Sequence, residues 1–378
     1  MRIAVDASAV GPAPSGARTR MIALLEAYAR AASTHELVVF ATADSGLPSR
    51  LERSGVACVE VAPPPSPPVR LVRGTGTWRR RLAEVGAEAF SAETLPPPGA
   101  LGVPTAVTIH DLRDLAPGAP RLGARRLYAR HLLPAALRRV DRVVAVSEWT
   151  KGEVARRLRF PAERIDVVRN GVEVPALRPD PSAVEAWRRA RGATRRPVLA
   201  LGHLEPRKNL ATLIDAVRAL RASGRDDVGV VLAGRDEAGE GARLRRRAAA
   251  APVVPLVLTG PLDEGERLLA LAGAASVATP SALEGFGMVP LEAMAAGVPT
   301  VSSSAGALPE VVGDAGLLVA PDDVEGWAEA IGRLLDDDRE RERLVAAGRA
   351  RAATFSWDDA ARNLVRAHDA LQASTARR

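Results

Sequence analysis

Two carboxylates, Glu284 and Glu292, stand eight residues apart in the run Glu284-Gly285-Phe286-Gly287-Met288-Val289-Pro290-Leu291-Glu292. The spacing reads as a ligand cradle. Residues 275–281 just before it predict a buried strand, and Pro290 suits the opening turn of a helix that Gly297 ends. Gly285 and Gly287 let backbone come close to a ligand, and N–H groups at a helix start favour an anion such as a phosphate. With Glu284 in the loop and Glu292 in the first helical turn, both can face one pocket and accept hydrogen bonds from the hydroxyl groups of a sugar or a ribose. Each also has a plainer role open to it, Glu292 as a complement to the helix dipole and Glu284 as a solvated loop charge.

Arg207-Lys208 forms a second candidate site, two cations between a predicted strand at 198–202 and a predicted helix at 209–222. Cations are unfavourable at a helix start. A diphosphate there would reverse that, and fixed cations stabilise the charge that builds on a departing phosphate. Lys208 and Lys151 are the two lysines of the chain, which otherwise uses arginine, so a lysine at 208 suggests a position where arginine will not serve. His110-Asp111 ends a predicted strand at 105–109, where the imidazole is either a ligand contact or a satisfied strand-end histidine. Gly16 lies in a predicted loop at 9–16 and is by itself an ordinary turn glycine. Asp336-Asp337-Asp338 looks like a metal-binding run but reads as a solvated junction between two helices, and no metal is expected.

The elements that must hold these residues alternate. A strand at 2–8, a loop, and a helix at 17–32 with apolar spacing at Met21, Leu24, Leu25 and Tyr28 make a βα entry. Strands follow at 36–42, 56–61, 105–109, 142–146 and 165–168, with the proline cluster at 63–68 as an extended loop. A polar connection at 178–196 leads to a second half: strand 198–202, helix 209–222, strand 228–233, helix about 241–250, strand 256–259, helix 264–273, strand 275–279. The fold class is α/β, two doubly wound parallel-sheet domains in tandem, with ligands at the carboxyl ends of the strands in a cleft where the domains face each other.

Composition sets the remaining bounds. A chain of 378 residues with 47% apolar content suits two domains. No charged segment followed by an apolar one opens it, so a secretory leader is not expected. The longest uncharged stretch, 293–309, is broken by Gly297, Pro299 and three serines and cannot span a membrane. The single Cys58 excludes an internal disulfide framework and a cysteine-based zinc site, in keeping with a cytoplasmic protein, and in the apolar run 56–61 it reads as a packing residue. Formal net charge is +7, yet residues 1–172 hold 25 Lys+Arg against 16 Asp+Glu, a net of +9, while the remainder holds 27 against 29, a net of −2. The excess concentrates in Arg70, Arg73, Arg79, Arg80 and Arg81 beside Trp78, and in Arg121, Arg125, Arg126, Arg130, Arg138, Arg139 and Arg142. Nucleic acid is not the expected partner, because aromatics are only 3% and stacking platforms are lacking.

At EGFGMVPLEAMAAGVPTV, 284–301, the chain resembles the retaining glycosyltransferases of family 4, whose mark is two glutamates separated by seven residues. The resemblance extends over nearly the whole chain: TIHDL at 108–112, VVAVSEWTK at 143–151, IDVVRNGVE at 165–173, LGHLEPRKNL at 201–210, GALPEVVGDAGLLV at 306–319 and ATFSW at 353–357. It implies the GT-B architecture: an acceptor-binding domain at 1–175, a nucleotide-sugar domain at 176–355, and a last helix, about 356–375 with Ser356 as N-cap, packed back on the first.

It also implies site roles. Glu292 would hold the ribose hydroxyls, Glu284 with the backbone of Gly285, Phe286 and Gly287 the transferred sugar, Arg207 and Lys208 the leaving diphosphate. His110 would hydrogen-bond the sugar or a phosphate oxygen, and Gly16 would bring backbone near the diphosphate, although Ser15 replaces the first glycine of the family's pair. His203 stands where the family often carries an arginine. The implied reaction is metal-free and needs no cofactor, with a nucleoside diphosphate sugar as co-substrate. No nucleophile stands out, which fits a front-face route and leaves double displacement open. The form GHLEPRKNL resembles bacterial mannosyl- and rhamnosyltransferases of surface polysaccharides, so GDP-mannose is the expected donor and a glycan or lipid-linked sugar the acceptor. The basic first domain would sit peripherally at an anionic membrane surface. The alternatives are a nucleotide-sugar epimerase or hydrolase on the same fold, and a non-catalytic basic binding protein.

Overall fold

The computed structural model describes residues 1–12, 16–31, 33–63, 67–95, 97–115, 127–174, 179–236 and 239–375. The chain divides into two units, residues 1–171 with 355–378, and residues 172–354.

In the first unit, β1 (Arg2–Asp6), β2 (Glu36–Ala41), β3 (Ala57–Glu60), β4 (Ala89–Ala92), β5 (Thr105–Ile109), β6 (Arg142–Ala145) and β7 (Ile165–Val167) form a parallel sheet of order β3-β2-β1-β4-β5-β6-β7. Val5 of β1 pairs with Val39 on one side and Ser91 on the other. A central strand covered on both faces must be apolar along its length, and Ile3, Ala4 and Val5 are buried. Helix Gly16–Arg30 follows β1 and packs on the last helix, Trp357–Thr375. Ser356 Oγ accepts from Asp359 N at 3.0 Å, the expected cap. Gly171 lies so close to this helix start that a Cβ would meet Trp357 N at 2.4 Å.

The second unit holds β8 (Arg196–Leu201), β9 (Val228–Ala233), β10 (Leu256–Gly260), β11 (Ser276–Thr279), β12 (Thr300–Ser303) and β13 (Leu317–Val319), parallel in the order β10-β9-β8-β11-β12-β13. Its core gathers Leu213, Ile214 and Val217 of helix Leu210–Ala222 with Trp327 and Ile331 of helix Val324–Asp336. Trp327 is buried and donates from Nε1 to Ala320 O at 3.0 Å.

Both expected parallel sheets are present, with local differences. Strand β4, Ala-Phe-Ser-Ala, gave no strand signal because alanine and serine have low β propensity, and β12 and β13 were likewise not anticipated. The connection at 178–196 contains helix Pro181–Ala190, started by Asp180, whose side chain accepts from Ser182 N, and anchored by buried Trp187. Its apolar face is only a few residues wide among arginines, which hid it. Pro67 and Pro68 are not loop: they open helix Pro67–Glu84, where a missing N–H costs nothing. Arg121, Arg125 and Arg126 lie outside the described residues, as do Ser15 and the side chains of Arg70 and Arg73.

Candidate functional site

In the second sheet the chain winds outward in opposite directions from β8 and β11, so the loops leaving these two strands part and open a crevice at their carboxyl ends. The loop after β8 carries Arg207 and Lys208, and the loop after β11 carries Glu284. Lys208 Nζ donates to Glu284 Oε1 at 2.6 Å, and Ser281 Oγ donates to the same oxygen at 2.7 Å. Arg207 Nη1 lies 3.2 Å from Glu284 Oε2 and donates to Leu283 O at 2.6 Å, while Nη2 reaches Glu205 at 2.5 Å. Ala282 N donates to Arg207 O at 2.9 Å, which ties the two loops by backbone as well. Burial works against ionisation of Glu284, but Lys208, Arg207 and the Ser281 hydroxyl outweigh it and hold the carboxyl down at about 2.

Glycines shape the crevice. Gly306, at φ +64, lies against Glu284, where a Cβ would come within 2.4 Å of its carbonyl oxygen, and Ala307 N donates to that oxygen at 2.9 Å. Gly287, at φ +124, has Leu308 of its own unit where a side chain would be, at 2.9 Å from a Cβ. Its absent side chain therefore serves internal packing, and Phe286 buries its ring beside it.

Glu292 sits on helix Met288–Ala296, which starts two residues before Pro290, so the residue falls in the second turn rather than the first. That distance from the helix start weakens a dipole role. Its carboxylate is ion-paired with Arg267 of helix Glu264–Ala272, Nη2 to Oε2 2.9 Å. Burial raises the Glu292 pKa and Arg267 opposes the rise. The acidic run 336–338 is accounted for locally: Asp336 pairs with Arg225, Asp337 accepts from Glu340 N to start helix Asp338–Ala352, and Asp338 pairs with Arg341 at 2.6 Å.

His110 and Gly16 belong to the first unit, also at strand ends of its sheet. Gly16 is the first residue of the helix after β1, and His110 directly follows β5. His110 Nε2 lies 3.3 Å from Glu93 O, so it is the donor and Nδ1 is left as an acceptor. Burial, then the nearby Arg20 guanidinium, lower the imidazole pKa to about 4, so the ring is neutral at pH 7. Arg20 is itself buried, donating from Nη1 to Val168 O at 3.2 Å and to Asn170 Oδ1. Cys58 has a thiol pushed up to about 11 by burial and the neighbouring Glu52, the opposite of an activated nucleophile.

Sequence reasoning missed Ser281, Arg267, Arg20 and Glu93. One of them left a signal: Arg20 lies four residues before Leu24, a charge in the buried stripe of its helix. Glu93 follows the unread strand β4 and left none.

The family model described as glycosyltransferase family 4 matches residues 14–175, and that described as glycosyl transferases group 1 matches residues 184–351. Among curated relatives, O-antigen chain mannosyltransferase B of Escherichia coli is 30% identical over 61% of this chain and 60% of its own. MMP alpha-(1->4)-mannosyltransferase of Mycolicibacterium hassiacum is 31% identical over 71% of this chain and 66% of its own. D-inositol 3-phosphate glycosyltransferase of Frankia alni is 30% identical over 71% and 68%. The matched part thus spans about three fifths to two thirds of the length of these relatives. Among solved structures, Anabaena HepE in complex with UDP-glucose superposes with a TM-score of 0.76 at 21% identity, covering 99% of this chain and 100% of that one. The lipopolysaccharide glycosyltransferase WaaG superposes at 0.71 and 17% identity, covering 96% and 98%.

Two Rossmann-like parallel-sheet units, each with its polar cluster at strand ends, are the GT-B fold of these structures. The chain belongs to the glycosyltransferases, with a family 4 domain in its first half and a group 1 domain in its second.

Proposed function

We propose that this protein is a retaining, metal-independent glycosyltransferase that moves a hexose, mannose from GDP-mannose, to a hydroxyl of a glycan or lipid-linked acceptor. The observation that carries the reading is the Lys208–Glu284–Arg207 cluster at the switch point of the second sheet. Glu284 and Glu205 hold the two cations in place before any ligand arrives, so stabilising a departing diphosphate requires little reorganisation. Glu284 also accepts from hydroxyls of the transferred sugar, with the 285–287 backbone beside it, and Glu292 accepts from the ribose. His110, neutral, accepts from a sugar hydroxyl through Nδ1; with Nε2 committed to Glu93 O it has no donor left for a phosphate oxygen. Gly16 brings backbone to the diphosphate.

A carboxylate engaged by two cations and held down at about 2 is a poor nucleophile, which favours the front-face route over double displacement. In that route the bond from the anomeric carbon to the diphosphate breaks, the acceptor oxygen bonds to the same face, and the leaving phosphate oxygen takes the acceptor proton. The names of the mannosyltransferase relatives support the sugar. The acceptor is met at an anionic membrane surface by the basic first unit.

Thermal-shift titration with GDP-, UDP- and dTDP-sugars, followed by product analysis with glycan, lipid-linked and inositol phosphate acceptors, tests this. Stabilisation by GDP-mannose and acceptor-dependent transfer are expected. Free sugar released from donor alone would make the protein a hydrolase, and indifference to every donor would overturn the reading.

A further inference from the structure

Glu292 is a carboxylate with little access to water, its side chain only 12% exposed. An acid so enclosed prefers its neutral form unless a fixed cation opposes the change. Arg267 is that cation. Helices Glu264–Ala272 and Met288–Ala296 pack together, and the guanidinium crosses between them to Oε2.

The other elements packed on the Glu292 helix bring no rival charge to bear. Strands β11 and β12 carry no ionisable side chain. Glu266, one residue before Arg267, is engaged by Arg191. On helix Asp338–Ala352, Arg349 lies over Gly297 at the far end of the Glu292 helix, and Arg351 donates to the backbone of Glu310 and Val311 on helix Leu308–Val312. Arg267 is the charged partner that opposes burial at Glu292.

We propose that Arg267 is a positioning residue for nucleoside recognition, one that holds Glu292 ionised and oriented by gripping Oε2 and so leaves Oε1 to accept from the ribose. The proposal rests on the ribose role given to Glu292 above. An ionised carboxylate presents acceptors only, which suits two hydroxyl donors; the neutral acid turns one site into a competing donor. Arg267 contributes without having to touch the nucleotide.

Isothermal titration of the full chain with GDP and with UDP, at about pH 6.5 and about pH 9, separates this from a packing role. The wild type should bind its preferred nucleotide with little change between the two. Arg267→Met should bind more weakly at the lower pH than at the higher, because burial then raises the Glu292 carboxyl with no cation opposing it. Arg267→Lys, which keeps the charge, should stay flat. A pH-independent Kd in Arg267→Met, whether unchanged or uniformly weakened, would overturn the proposal. Arg267 is 39% exposed, so loss of folding is not expected. Should the Met variant still fail to fold, a wild-type Glu292 carboxyl titrating above about pH 7 by carbon NMR would overturn it instead. Glu292→Gln divides the two readings: wild-type affinity in that variant removes the ribose role and Arg267's with it. Weak binding there beside a flat Arg267→Met profile removes Arg267 alone.

Discussion

Lys208 Nζ and Glu284 Oε1 are 2.6 Å apart although the residues are separated by 76 positions in the chain. They meet because β8 and β11 are neighbours in the sheet. The pair is enclosed, with side-chain exposures of 15% and 16%, so it is screened less than a surface ion pair and each member depends on the other.

Glu284→Ala and Glu292→Ala should each weaken transfer by about 1.5 to 3 kcal/mol or more, the loss expected for hydrogen bonds to a charged acceptor. Folding should be largely kept. Glu284→Ala also leaves Lys208 and Arg207 without their shared partner, so it should be the more damaging. Steady-state kcat/KM with circular dichroism on the same samples measures both, and wild-type turnover in either variant would remove that glutamate from the site.

Lys208→Ala should lower kcat more than it raises the donor KM, because charge on the diphosphate grows as the sugar departs. If only KM moves, the lysine binds the ground state. If neither moves, its role is confined to holding Glu284.

The product should keep the donor's anomeric configuration, and turnover should survive a chelator. NMR of the glycosidic product, with and without EDTA, reads both. Inversion, or loss of activity restored by a divalent metal, contradicts the proposed route.

Binding to anionic vesicles should depend on some arginines more than others. Arg79 donates twice to Ala100 O at 3.0 and 2.8 Å, and Arg81 lies over the Trp78 ring at 5.0 Å, so both are engaged within the unit. Arg80, in a loose surface ion pair with Glu84 at 3.9 Å, is 74% exposed, and Arg130, Arg138 and Arg139 are exposed, as are Leu127 and Leu132. Replacing Arg80, Arg130, Arg138 and Arg139 with alanine should reduce co-sedimentation by about 1 kcal/mol per well-placed charge. Equal recovery of the wild type from neutral and anionic vesicles points to a soluble acceptor.

Acid should destabilise the first unit through His368. It is buried against Tyr28, with Nδ1 3.0 Å from the phenol oxygen, and burial followed by neighbouring His35 lowers its pKa to about 3. The unfolded chain takes up this proton below about pH 6.5 while the folded chain does not, so stability is lost as pH falls from about 6.5 toward 3. His368→Gln should show a smaller drop in Tm between about pH 7 and pH 4.5 than the wild type. An equal drop would assign the acid sensitivity to other groups.

What the sequence determined by itself is local. The alternation of apolar runs and amphipathic stretches specifies two parallel sheets, since strand and helix periodicities are written within a few turns of chain. It also placed Arg207, Lys208, Glu284 and His110 in loops at strand ends, where ligands of such sheets bind. The partners of those residues were decided by tertiary structure. Strand order at β8 and β11 brings Lys208 to Glu284, helix packing brings Arg267 to Glu292, and the reach of Arg20 to Asn170 spans 150 positions. No local pattern encodes which strands become neighbours, because that follows from burying both faces of a whole sheet at once. Strand β4 is the clearest case: Ala-Phe-Ser-Ala has little tendency to extend, and it becomes a strand because β1 and β5 leave one slot between them.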